Sequence, residues 1–409
     1  MYKLVFLSGF LNQLLKDFSY IAREISNFKK TTLMKKNPFI LNSHLRFFSY
    51  SLFVAVLLLF SGCEKAIAGN NETGSDINPD SLKGLKDYYK DFFPIGVAVS
   101  PTSLTGSQSA LILKHFGSLT AENVMKPAPI HPEENRYYWD NADKIVNYAQ
   151  ANGMLTRGHT LVWHQQTPSW MFKDADGNSA TKEVVLTRLK DHITQVVSRY
   201  KGKVYAWDVI NEALDDNDAK FYRETDWYKI CGEEYIAKAF QWAHEADPGA
   251  LLFYNDYNTE FAGRRDKVYT LLKQLLDAGV PIHGVGLQGH WNINNPSEKD
   301  LRDAIEKYSS LGLKVQITEL DVSVYSSGET NPADNVFTQE REQKQIDKYK
   351  MIFRVFREYK NVISGVTFWN VSDKSSWLDN FPVVGRKNYP LLFDQNLKPK
   401  KAYWEVVKF

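Results

Sequence analysis

Cysteine is almost missing from this chain: 409 residues contain two, Cys63 and Cys231. At most one disulfide can form, and a cysteine-rich metal site is excluded. A marked excess of positive or negative charge is absent too. Lys plus Arg number 50 against 48 Asp plus Glu, a net +2, which gives no basis for a nucleic-acid partner. The apolar run from Leu52 to Phe60 is about ten residues, too short to cross a bilayer as a helix. No G-x-G-x-x-G motif follows the first predicted strand, which weakens a dinucleotide-binding reading. No internal repeat and no second domain are visible. What is abundant is aromatic: 10 Trp, 22 Tyr and 24 Phe, enough to fill a core and to line a cleft as well. With 43% apolar and 24% charged residues the chain reads as globular, not disordered or fibrous.

The small basic excess is concentrated at the start. Residues 1–65 carry about 9 basic and 3 acidic side chains, leaving about 41 basic against 45 acidic in the rest. Lys35, Lys36 and Arg46 precede the Leu52–Phe60 run, which ends in Phe60-Ser61-Gly62-Cys63. Basic, apolar, small, then Cys is the order of an export signal with a lipoprotein-type cleavage site. Phe60 stands where that pattern places Leu, Val or Ile. The order runs better from Met34 than from Met1, so Met34 is the expected start and Cys63 the expected lipidation site. The competing reading of the run is a buried hydrophobic helix. Residues 66–81, rich in Gly, Asn and Ser, read as a flexible tether. With Cys63 lipidated, only Cys231 would remain and no internal disulfide could form.

From about Leu82 to Phe409, β-branched or apolar runs alternate with amphipathic stretches. Strands are predicted near Ile95–Val99, Leu119–Asn123, Thr156–Trp163, Val204–Glu212, Leu251–Tyr257, Gly284–His290, Val315–Val322 and Gly365–Val371. Helices are predicted over Trp139–Ala151, Glu183–Tyr200, Trp227–Ala246 and Gln339–Tyr359 among others. Strand and helix in turn, about eight times, predict an α/β fold. The length fits a closed (β/α)8 TIM barrel forming a single catalytic domain, residues 82–409.

In such barrels the active site lies at the C-terminal ends of the strands. Here those ends carry Glu122, Asn123 and Lys126; His159, Trp163 and His164; Asn211 and Glu212; Asn255, Asp256 and Tyr257; Gln288 and His290; Glu319 and Asp321; and Trp369, Asp373 and Trp377. Glu212 closes Trp207-Asp208-Val209-Ile210-Asn211-Glu212, and Glu319 sits in Val315-Gln316-Ile317-Thr318-Glu319-Leu320-Asp321. Two carboxyls facing across a barrel mouth are what glycosidic bond cleavage needs. One protonates the leaving oxygen while the other meets the charge developing at the anomeric carbon. For either glutamate alone, an ion pair or a helix cap is the ordinary alternative.

These segments resemble glycoside hydrolase family 10, the retaining endo-β-1,4-xylanases, over essentially the whole of Leu82–Phe409. Gly312-Leu313-Lys314-Val315-Gln316-Ile317-Thr318-Glu319-Leu320-Asp321-Val322 matches the family's nucleophile signature, and Trp207 to Glu212 its acid/base motif. Gly158-His159-Thr160-Leu161-Val162-Trp163-His164 and Glu122-Asn123-Val124-Met125-Lys126 match two substrate-binding motifs. The resemblance implies that Glu319 is the nucleophile and Glu212 the general acid and then base. It implies that His290 hydrogen-bonds the nucleophile and that Asn211 contacts the sugar 2-hydroxyl. Glu122, Asn123 and Lys126 would hold the glycone side, with His159 and Gln288 near the scissile bond. Trp163, Trp369 and Trp377 would wall the subsite, and His164 and Tyr257 would position it. For a single Trp, core packing is the ordinary alternative. Asp208 and Asp321 are read as supports. Asn370 departs from the family's usual glycine after Phe368-Trp369.

The implied substrates are xylan and xylo-oligosaccharides, with no cofactor, no metal and no nucleic acid. The membrane would be engaged only through a lipid anchor at Cys63, placing an exported monomer in a bacterial cell envelope. Three alternatives stand beside this. An endo-β-1,4-glucanase, or another β-glycanase on the same barrel, shares the two glutamates. A metal-dependent hydrolase would use His159, His164 and His290, but lacks a His-x-His at the first strand's end. A carbohydrate-binding lipoprotein would have no need of both Glu212 and Glu319.

Overall fold

The computed structural model describes residues 83–409. The expected start at Met34, the Cys63 site and the 66–81 tether lie outside the described residues. Eight strands pair in parallel: β1 Ile95–Val99, β2 Ser118–Ala121, β3 Leu155–Val162, β4 Ala206–Asn211, β5 Leu251–Asp256 and β6 Gly284–Leu287, then β8 Lys314–Ser323 and β9 Ile363–Phe368. Each pairs with the next, β6 with β8, and β9 returns to β1, so the sheet closes on itself. This is the expected (β/α)8 barrel. A short extra strand, β7 His290–Asn292, pairs with β8 beyond the ring.

Eight helices follow the eight strands: α1 Gly106–His115, α2 Asp140–Ala151, α3 Lys182–Arg199, α4 Glu234–Ala246, α5 Ala262–Asp277, α6 Glu298–Ser309, α7 Gln339–Glu358 and α8 Lys401–Val407. Their sequences explain their place. In α6 the buried residues are Leu301, Ala304, Ile305 and Tyr308, the spacing of one helical face. Ser297 and Asp300 close its N-terminus as a capping box, and Thr181 and Thr338 cap α3 and α7. The strands are covered on both faces, which is why β1 is buried at every position.

Two expected elements are broken. The predicted strand Gly284–His290 stops at Leu287; Gln288 and Gly289 leave the ladder, with Gly289 at φ +81°. The predicted helix Trp227–Ala246 is two helices, Asp226–Cys231 and α4, parted at Gly232 with φ +64°. In both cases a glycine takes up a left-handed conformation that a regular element cannot hold.

The inside of the barrel is polar on one side. Arg157 of β3 donates both ends of its guanidinium to Asp208 of β4 and Nε to Gln316 Oε1 of β8 at 2.7 Å. Arg157 and Asp208 are fully buried. Such a pair is tolerable away from water because nearly every donor is satisfied. Beside it, Trp207 lies so close to Gly158 that a Cβ there would meet the indole at 2.1 Å. Only glycine fits this crossing of β3 and β4.

Candidate active site

The strand ends turn outward into one open cleft of about 710 Å³. The two glutamates and all twelve predicted substrate-binding residues line it. They come from different strands, which is why their sequence separation is large. Glu319 lies within β8, whereas Glu212 is the first residue past β4. Glu212 has φ +59°, rare for a residue with a Cβ, and the hydrogen bond from its amide to Asn255 O at 2.9 Å holds it there.

Glu319 Oε1 accepts from Asn255 Nδ2 at 2.8 Å, and Oε2 faces His290 Nε2 at 3.2 Å. His290 Nδ1 lies 3.0 Å from Asp321 Oδ2, which also accepts from Trp377 Nε1 at 2.9 Å. His159 sits on the other side, with Nδ1 4.0 Å from Glu319 and 2.9 Å from Asp208. Burial by itself would raise the Glu319 carboxyl. His159, His290 and Lys126 overcome it and hold the group down at about 2. Glu319 is therefore anionic throughout the neutral and mildly acid range.

Glu212 is held differently. Trp163 Nε1 donates to Oε2 at 2.8 Å, while Gln288 Nε2 and Asn211 Nδ2 donate to Oε1 at 2.8 and 3.1 Å. An amide relay joins the two carboxyls, because Asn255 Nδ2 donates to Asn211 Oδ1 at 2.8 Å as well as to Glu319. Thr318 Oγ1 fixes the Asn255 amide at 2.6 Å, leaving its nitrogen as the donor. One carboxylate thus lies beside His290 and Lys126, and the other accepts from an indole and two amides. That asymmetry lets two chemically identical groups take different roles.

The remaining predicted residues form the walls. Lys126 Nζ donates to Asn123 Oδ1 at 2.9 Å and lies 4.9 Å from the Trp163 ring centre. Burial lowers its pKa and raises that of Glu122, each moderated by the other's charge. His164 Nδ1 is 3.9 Å from Glu212 Oε2, and burial lowers its pKa. Trp369 meets His159 edge-on at 5.3 Å, and Trp377 meets His290 at 4.8 Å. Tyr257 OH is bound by Asp216 and Arg223.

Not every rim residue read from the strand ends faces the cleft. Asp373 turns away, is buried, and holds Lys400 Nζ at 3.0 Å and Leu391 N at 2.8 Å. Asp256 is buried beneath Tyr257, bound by Tyr254 OH. Sequence reasoning also missed cleft residues. Arg223, Asn258 and Phe381 lie on loops with no motif to mark them. Phe381 is 56% exposed and stacks on Trp377 at 5.0 Å, so it lengthens the aromatic wall. Asn370 sits at φ +143°, a backbone that favours glycine. Its amide fastens the loop instead, donating to Ser375 O at 2.9 Å and accepting from Val371 N at 2.8 Å.

His290 carries a stability prediction. Burial would lower its pKa, but Asp321 and Glu319 together raise it from 6.5 to about 10. A raised folded pKa stabilises the fold fully below the unfolded value and loses that effect as pH rises through the folded one. The margin in thermal stability over His290→Asn is therefore expected to be greatest below pH 6.5 and to vanish as pH climbs through about 10. Thermal unfolding of both proteins across that range checks it.

The chain is similar to known proteins in sequence and in fold. Residues 84–409 match the family model described as Glycosyl hydrolase family 10. A Beta-1,4-xylanase of Dictyoglomus thermophilum is 50% identical over 363 residues, covering 88% of this chain and 99% of that protein. Endo-1,4-beta-xylanase B of Paenibacillus barcinonensis is 49% identical over 326 residues, 80% of this chain and 98% of the relative. A crystal structure of a xylanase from Paenibacillus barcinonensis, complexed with a conduramine derivative, superposes with a TM-score of 0.78 at 49% identity. It covers 80% of this chain and 98% of its own. A mutant enzyme structure in complex with xylotriose gives a TM-score of 0.78 at 47% identity, over 80% of this chain and 99% of its own. With a family match over most of the chain and relatives at half identity over nearly their full length, this chain belongs to Glycosyl hydrolase family 10.

Proposed function

We propose that the chain hydrolyses internal β-1,4-xylosidic bonds of xylan with retention of anomeric configuration. The observation that carries this reading is the pair Glu212 and Glu319, joined by the Asn211–Asn255 relay at the floor of an open cleft. An open cleft admits a polymer at any point along its length, which is what endo action requires.

In this reading Glu319, held anionic, attacks the anomeric carbon while Glu212 protonates the leaving oxygen. A covalent glycosyl-enzyme forms at Glu319, and Glu212 then takes a proton from the incoming water. Asn211 and His290 assist at the 2-hydroxyl and the nucleophile. Glu122, Asn123 and Lys126 offer polar groups to the glycone hydroxyls, with His159 and Gln288 at the scissile bond. Trp163, Trp369 and Trp377 give apolar planes to the C–H faces of the sugar. The relatives named xylanases and the tryptophan walls favour xylose, which lacks the hydroxymethyl arm of glucose. Reducing-end release from soluble xylan and from soluble cellulose derivatives tests the substrate. Activity on xylan is expected. Activity on cellulose derivatives alone would keep the two glutamates and overturn the substrate.

Export and anchoring belong to the same reading. The basic, apolar, small-residue and Cys63 order supports an exported lipoprotein held at a cell envelope. Mass spectrometry of the mature N-terminus is expected to find a lipid on Cys63, and Cys63→Ser to release soluble enzyme. An unmodified Cys63 in membrane-associated protein contradicts the anchor.

A further inference from the structure

The chain after Glu212 is a hairpin, residues 213–225, pinned where Leu214 pairs with Tyr222 and where Arg223 N meets Ala213 O at 2.9 Å. At its tip the backbone carbonyls of Asp215, Asn217 and Lys220 converge on one point. Lys267 Nζ, reaching over from α5, fills that point at 3.0, 2.7 and 2.7 Å. An ammonium has three donors, and each is used on a different carbonyl. Converging carbonyl oxygens are the ligands a hard metal cation takes. Here a side chain supplies the positive charge instead.

One turn earlier on α5, Arg264 donates to Leu214 O at 2.8 Å and to Asp216 Oδ1 at 2.8 Å. The tip is thus held from one helix face by two cations. From the hairpin the connection runs back to the reacting group. Arg223 Nε donates to Glu212 O at 3.2 Å, and Arg223 Nη2 donates to Tyr257 OH at 2.6 Å. Tyr257 OH in turn donates to Asp216. Glu212 keeps its φ of +59° only because its surroundings over-determine it.

We infer that Lys267 is a positioning residue for Glu212, standing in for a bound cation at the hairpin tip. It sets the tip, and Arg223 transmits that setting to the Glu212 backbone. The inference rests on the reading of Glu212 as acid and base. Arg264 still holds the tip when Lys267 is changed, so the hairpin loosens without losing its fold. The cost then falls first on proton donation to the leaving group, because Arg223 bonds the Glu212 backbone directly, whereas no hairpin residue bonds Glu319.

The test is Lys267→Met, assayed with aryl xylobiosides whose leaving groups range from strongly to weakly acidic. A strongly acidic phenol departs without help from Glu212, and a weakly acidic one does not. The variant is expected to lose about tenfold in kcat/KM on the weakest leaving group and less than about twofold on the best. Ammonium chloride is expected to restore part of the loss, and choline chloride at equal ionic strength none, because choline has no N–H to donate. Equal loss across the series, or no loss, overturns the positioning role. Loss that ammonium does not relieve overturns the substitution for a cation. If Lys267→Met does not fold, Lys267→Gln keeps part of the tripod and gives the same comparison at smaller amplitude. A parent enzyme that cleaves none of the aryl xylobiosides would sink the functional reading itself, a result distinct from either.

Discussion

Glu319→Gln is expected to lower kcat on xylan by about four orders of magnitude, equivalent to about 5–6 kcal/mol of transition-state stabilisation. The amide is nearly isosteric, so the cleft and substrate affinity are kept while the nucleophile is lost. It also removes the charge that His290, His159 and Lys126 surround. Three cationic or donor groups would then face a neutral amide, so the variant tests electrostatics as well as chemistry. A second signature follows from the depressed carboxyl of Glu319. A group lowered from 4.5 to about 2 contributes stability that is present above pH 4.5 and lost as pH falls towards 2. The stability difference between parent and Glu319→Gln is therefore expected to shift over that acid window. Steady-state kinetics and thermal unfolding in the same buffers check both effects. A variant with more than about a hundredth of parental kcat would be incompatible with a nucleophile at this position.

Glu212→Ala is expected to lose about a thousandfold on xylan, whose sugar leaving group needs a proton. On an aryl xylobioside with a strongly acidic phenol the first step needs no such help and is largely preserved. Turnover then stalls at the second step, since no base remains to activate water. Azide needs no base, and the emptied space left by the side chain admits it. Addition of azide is expected to restore turnover and yield a β-xylobiosyl azide, because displacement from the glycosyl-enzyme inverts the α-linkage. Trp163, Gln288 and Asn211 lose their acceptor in this variant, so some of the loss is positional. The leaving-group dependence separates the two contributions. A loss equal on all substrates, with no azide effect, would argue that Glu212 only supports the site.

Much of this was legible before the structure. Alternation of apolar runs and amphipathic stretches is a long-period signal, so the barrel and its strand count could be read directly. The two glutamates stood out because a carboxylate closing a strand of apolar residues is costly without a role. Local breaks were harder. Gln288 and Gly289 interrupt a run that stays apolar enough to read as one strand, and Gly232 splits a stretch with unbroken helical periodicity. Long-range partners were harder still. Nothing in the sequence near Arg157 says that it will meet Asp208 and Gln316 inside the barrel. Lys267 reads as one more solvated helix charge until the fold brings three carbonyls to it. Phe381 and Asn370 lie in loop segments, where no periodicity exists to predict what a side chain will touch.

Trapping the covalent intermediate tests Glu319 as the nucleophile. A 2-deoxy-2-fluoro xylobioside with a dinitrophenolate leaving group should form the glycosyl-enzyme faster than it breaks down. Peptide mass spectrometry of the inactivated protein is then expected to find one fluoroxylobiosyl group on the peptide spanning Val315–Val322, attached to Glu319. An adduct on Glu212, or hydrolysis that inverts the anomeric centre with no adduct, would contradict the account.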